Sequence, residues 1–101
     1  MWAQLITMRL KPGKGDDLPE LTSRLQAAEK PGSGLIRSTT MRDQNDPSRV
    51  CTLVVFESEE HARARENDPT RSDQLAPIRE LMAEIFDGPP EFIDLDVVSE
   101  H

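Results

Sequence analysis

Two stretches of this chain are apolar on both sides of a strand. Trp2 to Leu10 puts Trp2, Ile6, Met8 and Leu10 on one parity and Ala3 and Leu5 on the other, while Val50 to Phe56 sets Cys51, Leu53 and Val55 against Val54 and Phe56. An antiparallel sheet with one face in water alternates between apolar and polar residues. A sheet built on these strands must therefore be covered on both faces, and only two helical regions are available to do it. In the first, Asp16 can cap a helix whose Leu18, Leu21, Leu25 and Ala28 recur at spacings of three, four and three, with Pro19 tolerated in the first turn. The second opens at Ser58, which is followed by Glu59 and Glu60, and it ends near Asn67-Asp68-Pro69. It resumes after Ser72 with an apolar stripe of Leu75, Ile78, Leu81, Met82 and Ile85, and with Pro77 near its start.

The remaining segments complete a recognisable order. Leu35 to Arg42 reads as a second strand, joined through the turn-forming Asp43 to Ser48 to Val50–Phe56 as an antiparallel hairpin. Phe92 to Val98 is the last strand, and Pro31-Gly32-Ser33-Gly34 and Gly88-Pro89-Pro90 stop the two helical regions. The order β-α-β-β-α-β predicts an α+β, ferredoxin-like domain over residues 1–101: a four-stranded antiparallel sheet with its helices on one face. With no helix left for the other face, the economical cover is a second copy, sheet against sheet. A homodimer is predicted.

Charge and cysteine content narrow the partners. Lys plus Arg number 12 against 19 Asp plus Glu, a net charge of -7 that opposes a phosphate backbone, so no nucleic-acid partner is expected. No apolar run approaches the roughly 18 residues of a membrane span. Cys51 is the single cysteine, and the N-terminus runs into a strand without a basic region and an apolar stretch, which predicts a cytoplasmic protein.

The strand-to-helix corner Phe56-Glu57-Ser58-Glu59-Glu60, followed by Asp68-Pro69 and Ser72 and later by Gly88-Pro89-Pro90, resembles the antibiotic biosynthesis monooxygenase-like group of dimeric α/β barrels. The resemblance extends over the length of the chain in element order and implies that fold, a dimer, and oxygenase chemistry on an aromatic or phenolic substrate without a cofactor. Pocket residues of the polyketide-oxidising members fall at about Thr52, Phe56 and Ala62, and only Thr52 keeps a polar side chain. Positions used by haem-degrading members fall on Ile6, Arg65 and roughly Leu75, which supply no imidazole ligand for iron. No cofactor and no metal are implied.

Several residues carry two readings. His61 can serve as a general base, but in a charge-rich helix it is also what a solvated histidine looks like. Arg65 can face an anionic or phenolic substrate, or pair with nearby acids as Arg63, Arg71 and Arg79 can. Asp94 and Asp96 can form a carboxylate pair, or mark the wet face of a strand that buries Ile93, Leu95 and Val97. Cys51 reads as a small buried hydrophobe. Trp2, Ile6, Met8, Met41, Val54, Phe56 and Met82 can line a cavity between sheet and helices that takes a flat aromatic molecule, and they can equally fill a core. Two functions follow from the residues and the resemblance. One is an oxygenase with Thr52, His61 and Arg65 as polar contacts; the other is a non-catalytic dimeric barrel binding a hydrophobic ligand or a partner.

Overall fold

Strand β1 (Trp2–Arg9) is the spine of the computed structural model, which describes all residues from Met1 to His101. It pairs antiparallel with β3 (Arg49–Phe56) on one side and with β4 (Glu91–Asp96) on the other. The outer strand β2 (Leu35–Arg42) completes a four-stranded sheet in the order β2-β3-β1-β4. Helices α1 (Leu18–Ala28), α2 (Glu59–Glu66) and α3 (Pro69–Ile85) fill the two crossovers. The architecture is the ferredoxin-like α+β fold, with the second helical region broken into two helices.

The register assigns each side chain to a face. Trp2 opposes Phe56, Gln4 opposes Val54, Ile6 opposes Thr52 and Met8 opposes Val50, so these residues point to the helix side together. Ala3, Leu5 and Thr7, with Val55, Leu53 and Cys51, point away from the helices. On the helix side there are two separate apolar clusters. Leu10, Leu21, Val50, Leu75, Ile78, Ile85 and Phe86 form the larger, beneath α1 and α3. Trp2, Val54, Phe56 and Ala62 form the smaller, beneath α2.

Local chemistry explains the helix ends and corrects two expectations. Asp16 does not cap α1: a 3-10 turn over Gly15–Asp17 leads into it instead, and the Leu18 amide donates to the Gly15 carbonyl. The third helix begins at Pro69, not after Ser72, because Asp68 caps it by accepting from the Thr70 amide at 3.0 Å. Pro69 thus occupies the first turn, where a missing N–H costs nothing, and Pro77 lies inside the helix rather than at its start. Ser58 caps α2 as the sequence predicts, its hydroxyl accepting from the His61 amide at 3.2 Å.

The face without helices is largely apolar and only partly covered, with Ala3 and Val55 buried at one end and the rest more open. Ile93 is 48 % exposed, Leu95 37 % and Met41 45 %. In the same plane Leu5, Leu53 and Cys51 are half-buried, so Cys51 is not the fully buried hydrophobe its sequence context suggests. Beyond β4 the chain turns back towards the far edge of the sheet, where Glu100 meets Arg37 Nη2 at 2.7 Å. No helix is long and apolar enough to cross a membrane.

Candidate functional site

The two clusters on the helix side leave a row of the sheet between them. That row runs Thr40, Thr52, Ile6, Phe92 from β2 to β4, set by the pairings Thr40 with Thr52, Thr52 with Ile6 and Ile6 with Phe92. Ile6 packs against neither cluster, and Phe92 is 58 % exposed although it stands on the helix side. The helix layer therefore has a gap over the centre of the sheet, floored by one branched aliphatic side chain, one aromatic ring and two hydroxyls. The hydroxyls of Thr40 and Thr52 lie 3.1 Å apart and bond to each other.

One row further along lies an apolar cleft of about 170 Å³ lined by Met8, Met82, Ala83, Phe86, Gly88 and Pro90. This is below the roughly 300–1,000 Å³ of sites for drug-sized molecules. The methionines at its two walls are unbranched and polarizable, suited to a flat ring of variable outline.

On the opposite side of the row from the cleft stands a polar wall. Gln4 Nε2 donates to Asp94 Oδ1 at 2.9 Å, and Arg63 Nη2 donates to Asp94 Oδ2 at the same distance. Gln4 first, and Arg63 after it, hold the Asp94 carboxyl below the usual carboxylate range, so it is ionised at neutral pH and a weak base. Arg63 also contacts Glu59 and Glu66, and its guanidinium lies 5.1 Å from the centroid of the Trp2 ring. Asp94 and Asp96 thus stand on the helix side, and Ile93 and Leu95 on the uncovered side. Both acids are exposed, as a wet face expects, and that face is the helix side of the sheet.

The residues singled out in the sequence are not gathered at one point. Thr52 floors the gap, and Ile6, Met8 and Met82 lie in it or beside it. Trp2, Val54 and Phe56 are at most 8 % exposed and pack on one another, the Trp2 and Phe56 rings 6.1 Å apart, so they form core rather than a cavity wall. Met41 is on the opposite face. A bulge between Leu35 and Arg37 inserts one residue into β2 and turns Met41 towards the side of Cys51, its partner across the ladder. His61 lies on the outer side of α2, where Nδ1 and the Ser58 hydroxyl are 2.6 Å apart and Nε2 is 3.4 Å from Glu57. Arg65 reaches away from the gap to Glu29 at the end of α1, with Nη2 2.5 Å and Nε 3.0 Å from its carboxylate oxygens, and lies over the Phe56 ring at 5.3 Å. Gln4 and Thr40 are the polar residues of the gap that the sequence did not suggest. Their only signal was a place on the same parity as Ile6 and opposite Thr52, which needs the register to be seen. No three His, Cys, Asp or Glu side chains converge to hold a metal.

Residues 1–73 match the family model for antibiotic biosynthesis monooxygenase. No curated protein matches the chain in sequence. Among solved structures, a candidate antibiotic biosynthesis monooxygenase from Chloroflexus aurantiacus J-10-fl is 26 % identical, with 100 % of this chain and 97 % of that one covered and a TM-score of 0.66. A candidate member from Bordetella bronchiseptica is 18 % identical, with 97 % of each chain covered and a TM-score of 0.78. SnoaB, a cofactor-independent oxygenase from Streptomyces nogalater, is 12 % identical, with 98 % and 94 % covered and a TM-score of 0.76. The last two likenesses establish the fold alone.

Proposed function

This chain belongs to the antibiotic biosynthesis monooxygenase family, and from that premise we propose that it is a cofactor-independent oxygenase acting on a small aromatic or phenolic substrate. The observation that carries the proposal is the partly covered row of Ile6, Thr52, Thr40 and Phe92, one row from the Met8–Met82 cleft. A planar ring of one or two fused six-membered units stacks on Phe92 and Ile6 there, with its hydroxyl towards the threonine pair.

In this reading the chain contributes orientation and exclusion of water, and the substrate supplies the electrons. At an activated CH₂ flanked by aromatic carbon, two C–H bonds break, one C=O forms, and the second oxygen atom leaves as water. Asp94 is too acidic to remove the first proton efficiently, so turnover favours substrates that ionise readily in water. The same observation supports a second reading, ligand binding without chemistry, because no group poised near neutrality faces the gap. In both readings the protein works in the cytoplasm as a homodimer through the open face of Leu5, Leu53, Ile93 and Leu95.

Oxygen uptake by the purified protein with anthrone and a naphthol panel separates them. The oxygenase reading predicts uptake well above buffer, stoichiometric with product, and about tenfold lower in Thr52→Val, the order expected for loss of one orienting hydrogen bond. Uptake no faster than buffer, with saturable binding retained, leaves the ligand-binding reading in its place.

A further inference from the structure

A second concavity lies away from the gap in the helix layer. It is a polar cleft of about 260 Å³ between the end of α1, the outer side of α2 and the first turn of α3. Lys30, Arg65 and Arg71 bring three cationic groups to it, Glu29 and Asp68 two carboxylates. Both carboxylates are already engaged. Glu29 accepts three hydrogen bonds from Arg65, and Asp68 takes Lys30 Nζ at 3.3 Å while also capping α3.

Arg71 is left over. Its side chain is half-buried, no carboxylate lies within the 4.0 Å of an ion pair, and no protein acceptor takes its hydrogen bonds. Burial, and after it the neighbouring Arg65 charge, press its pKa downward, and the more distant Glu29 and Glu66 carboxylates offset this only in part. At the rim Gly32 adopts φ +81°, and its amide donates to no acceptor in the chain. Three cationic groups against two carboxylates leave the cleft one formal positive charge in excess, in a chain of net charge -7.

We propose that this cleft binds the anionic head group of a small molecule, a carboxylate or a phosphate, with Arg71 as its principal partner and Lys30 and the Gly32 amide beside it. A guanidinium presents paired N–H donors that match both groups. The cleft has the volume of roughly nine waters at about 30 Å³ each, so the anion can carry a modest organic body. The site is separate from the gap over Ile6, because Phe56 and the Arg65 guanidinium above it stand between them.

Titrating the ¹⁵N-labelled chain with sodium phosphate, and separately with sodium acetate, at an ionic strength held constant with sodium chloride tests this directly. The expected result is saturable shifts at the Gly32 and Ser33 amides and at the Arg71 Nε–H, with the tighter of the two anions naming the head group. Affinity falls about tenfold or more in Arg71→Gln, as loss of a charge-assisted hydrogen bond implies. It is unchanged in Arg24→Gln, a control at an exposed residue paired with Glu20. Linear, unsaturated shifts for both anions, or equal affinity in Arg71→Gln, overturn the proposal. If Arg71→Gln does not fold, Lys30→Gln takes its place, and unchanged affinity there is equally fatal.

Discussion

Arg65 is the residue whose role the structure changes most, and replacing it with leucine gives a worked prediction. Its guanidinium makes three hydrogen bonds of 2.5–3.1 Å to Glu29 and ties α2 to the end of α1 across 36 residues of sequence. The side chains are 18 % and 20 % exposed, between the surface regime of about 0–1 kcal/mol and the buried regime of about 3–5 kcal/mol for breaking one partner. A loss of about 2 kcal/mol is the intermediate figure, and leaving the Phe56 ring without its cation adds about 0.5–1 kcal/mol. For a domain of this length the sum lowers Tm by roughly 10–20 °C. Thermal unfolding followed by circular dichroism at pH 7, with protein concentration fixed because a dimer's Tm depends on it, measures the change. Glu29→Gln and the double variant complete a cycle, and the expected coupling is at least about 1 kcal/mol. A Tm drop under about 2 °C, or additive single effects, would refute the assignment of Arg65 to structure.

Three shorter predictions follow from neighbouring features. Burial pushes the Glu29 carboxyl up, but hydrogen bonds from Arg65 and Ser33 outweigh it and its pKa lies below the ordinary 4.5. Its contribution is therefore fully present above 4.5 and is lost as pH falls through the lowered folded value, so Glu29→Gln should flatten the acid limb of a stability profile measured by urea unfolding. Gly34→Ala should destabilise by more than the roughly 1–2 kcal/mol of left-handed backbone alone, because Gly34 has φ +85° and an added Cβ would sit 2.5 Å from His61 Cβ; an unchanged urea midpoint would count against it. Leu53→Lys on the open face should convert a particle of twice the 11.4 kDa chain mass, by light scattering, into a monomer, whereas a wild-type monomer would contradict the dimer.

The first three strands could be read from the sequence to within a residue because Gly, Pro, Asn and Asp bound them, whereas the last ends at Asp96, two residues before the expected Val98. The start of α3 was misread for a local reason: Asp68-Pro69 serves both to end one helix and to begin the next, and only the capping bond from Thr70 to Asp68 shows which. Faces were harder than strands. Leu35 and Met41 share a parity, yet the single residue inserted at the bulge sends Met41 to the other side of the sheet. Pairs distant in sequence were illegible: nothing near Arg65 names Glu29 as its partner, and nothing near Asp94 names Gln4. The gap itself is a property of how two clusters divide the sheet, which no single segment carries.

Where the ring of a bound ligand sits is the most direct test of the functional account. With methyl-labelled protein and 1-naphthol, the account predicts intermolecular nuclear Overhauser effects from the ring protons to the methyls of Ile6, Met8 and Met82. Effects confined to Met41, Leu53 and Ile93 would place the ligand on the open face and contradict it.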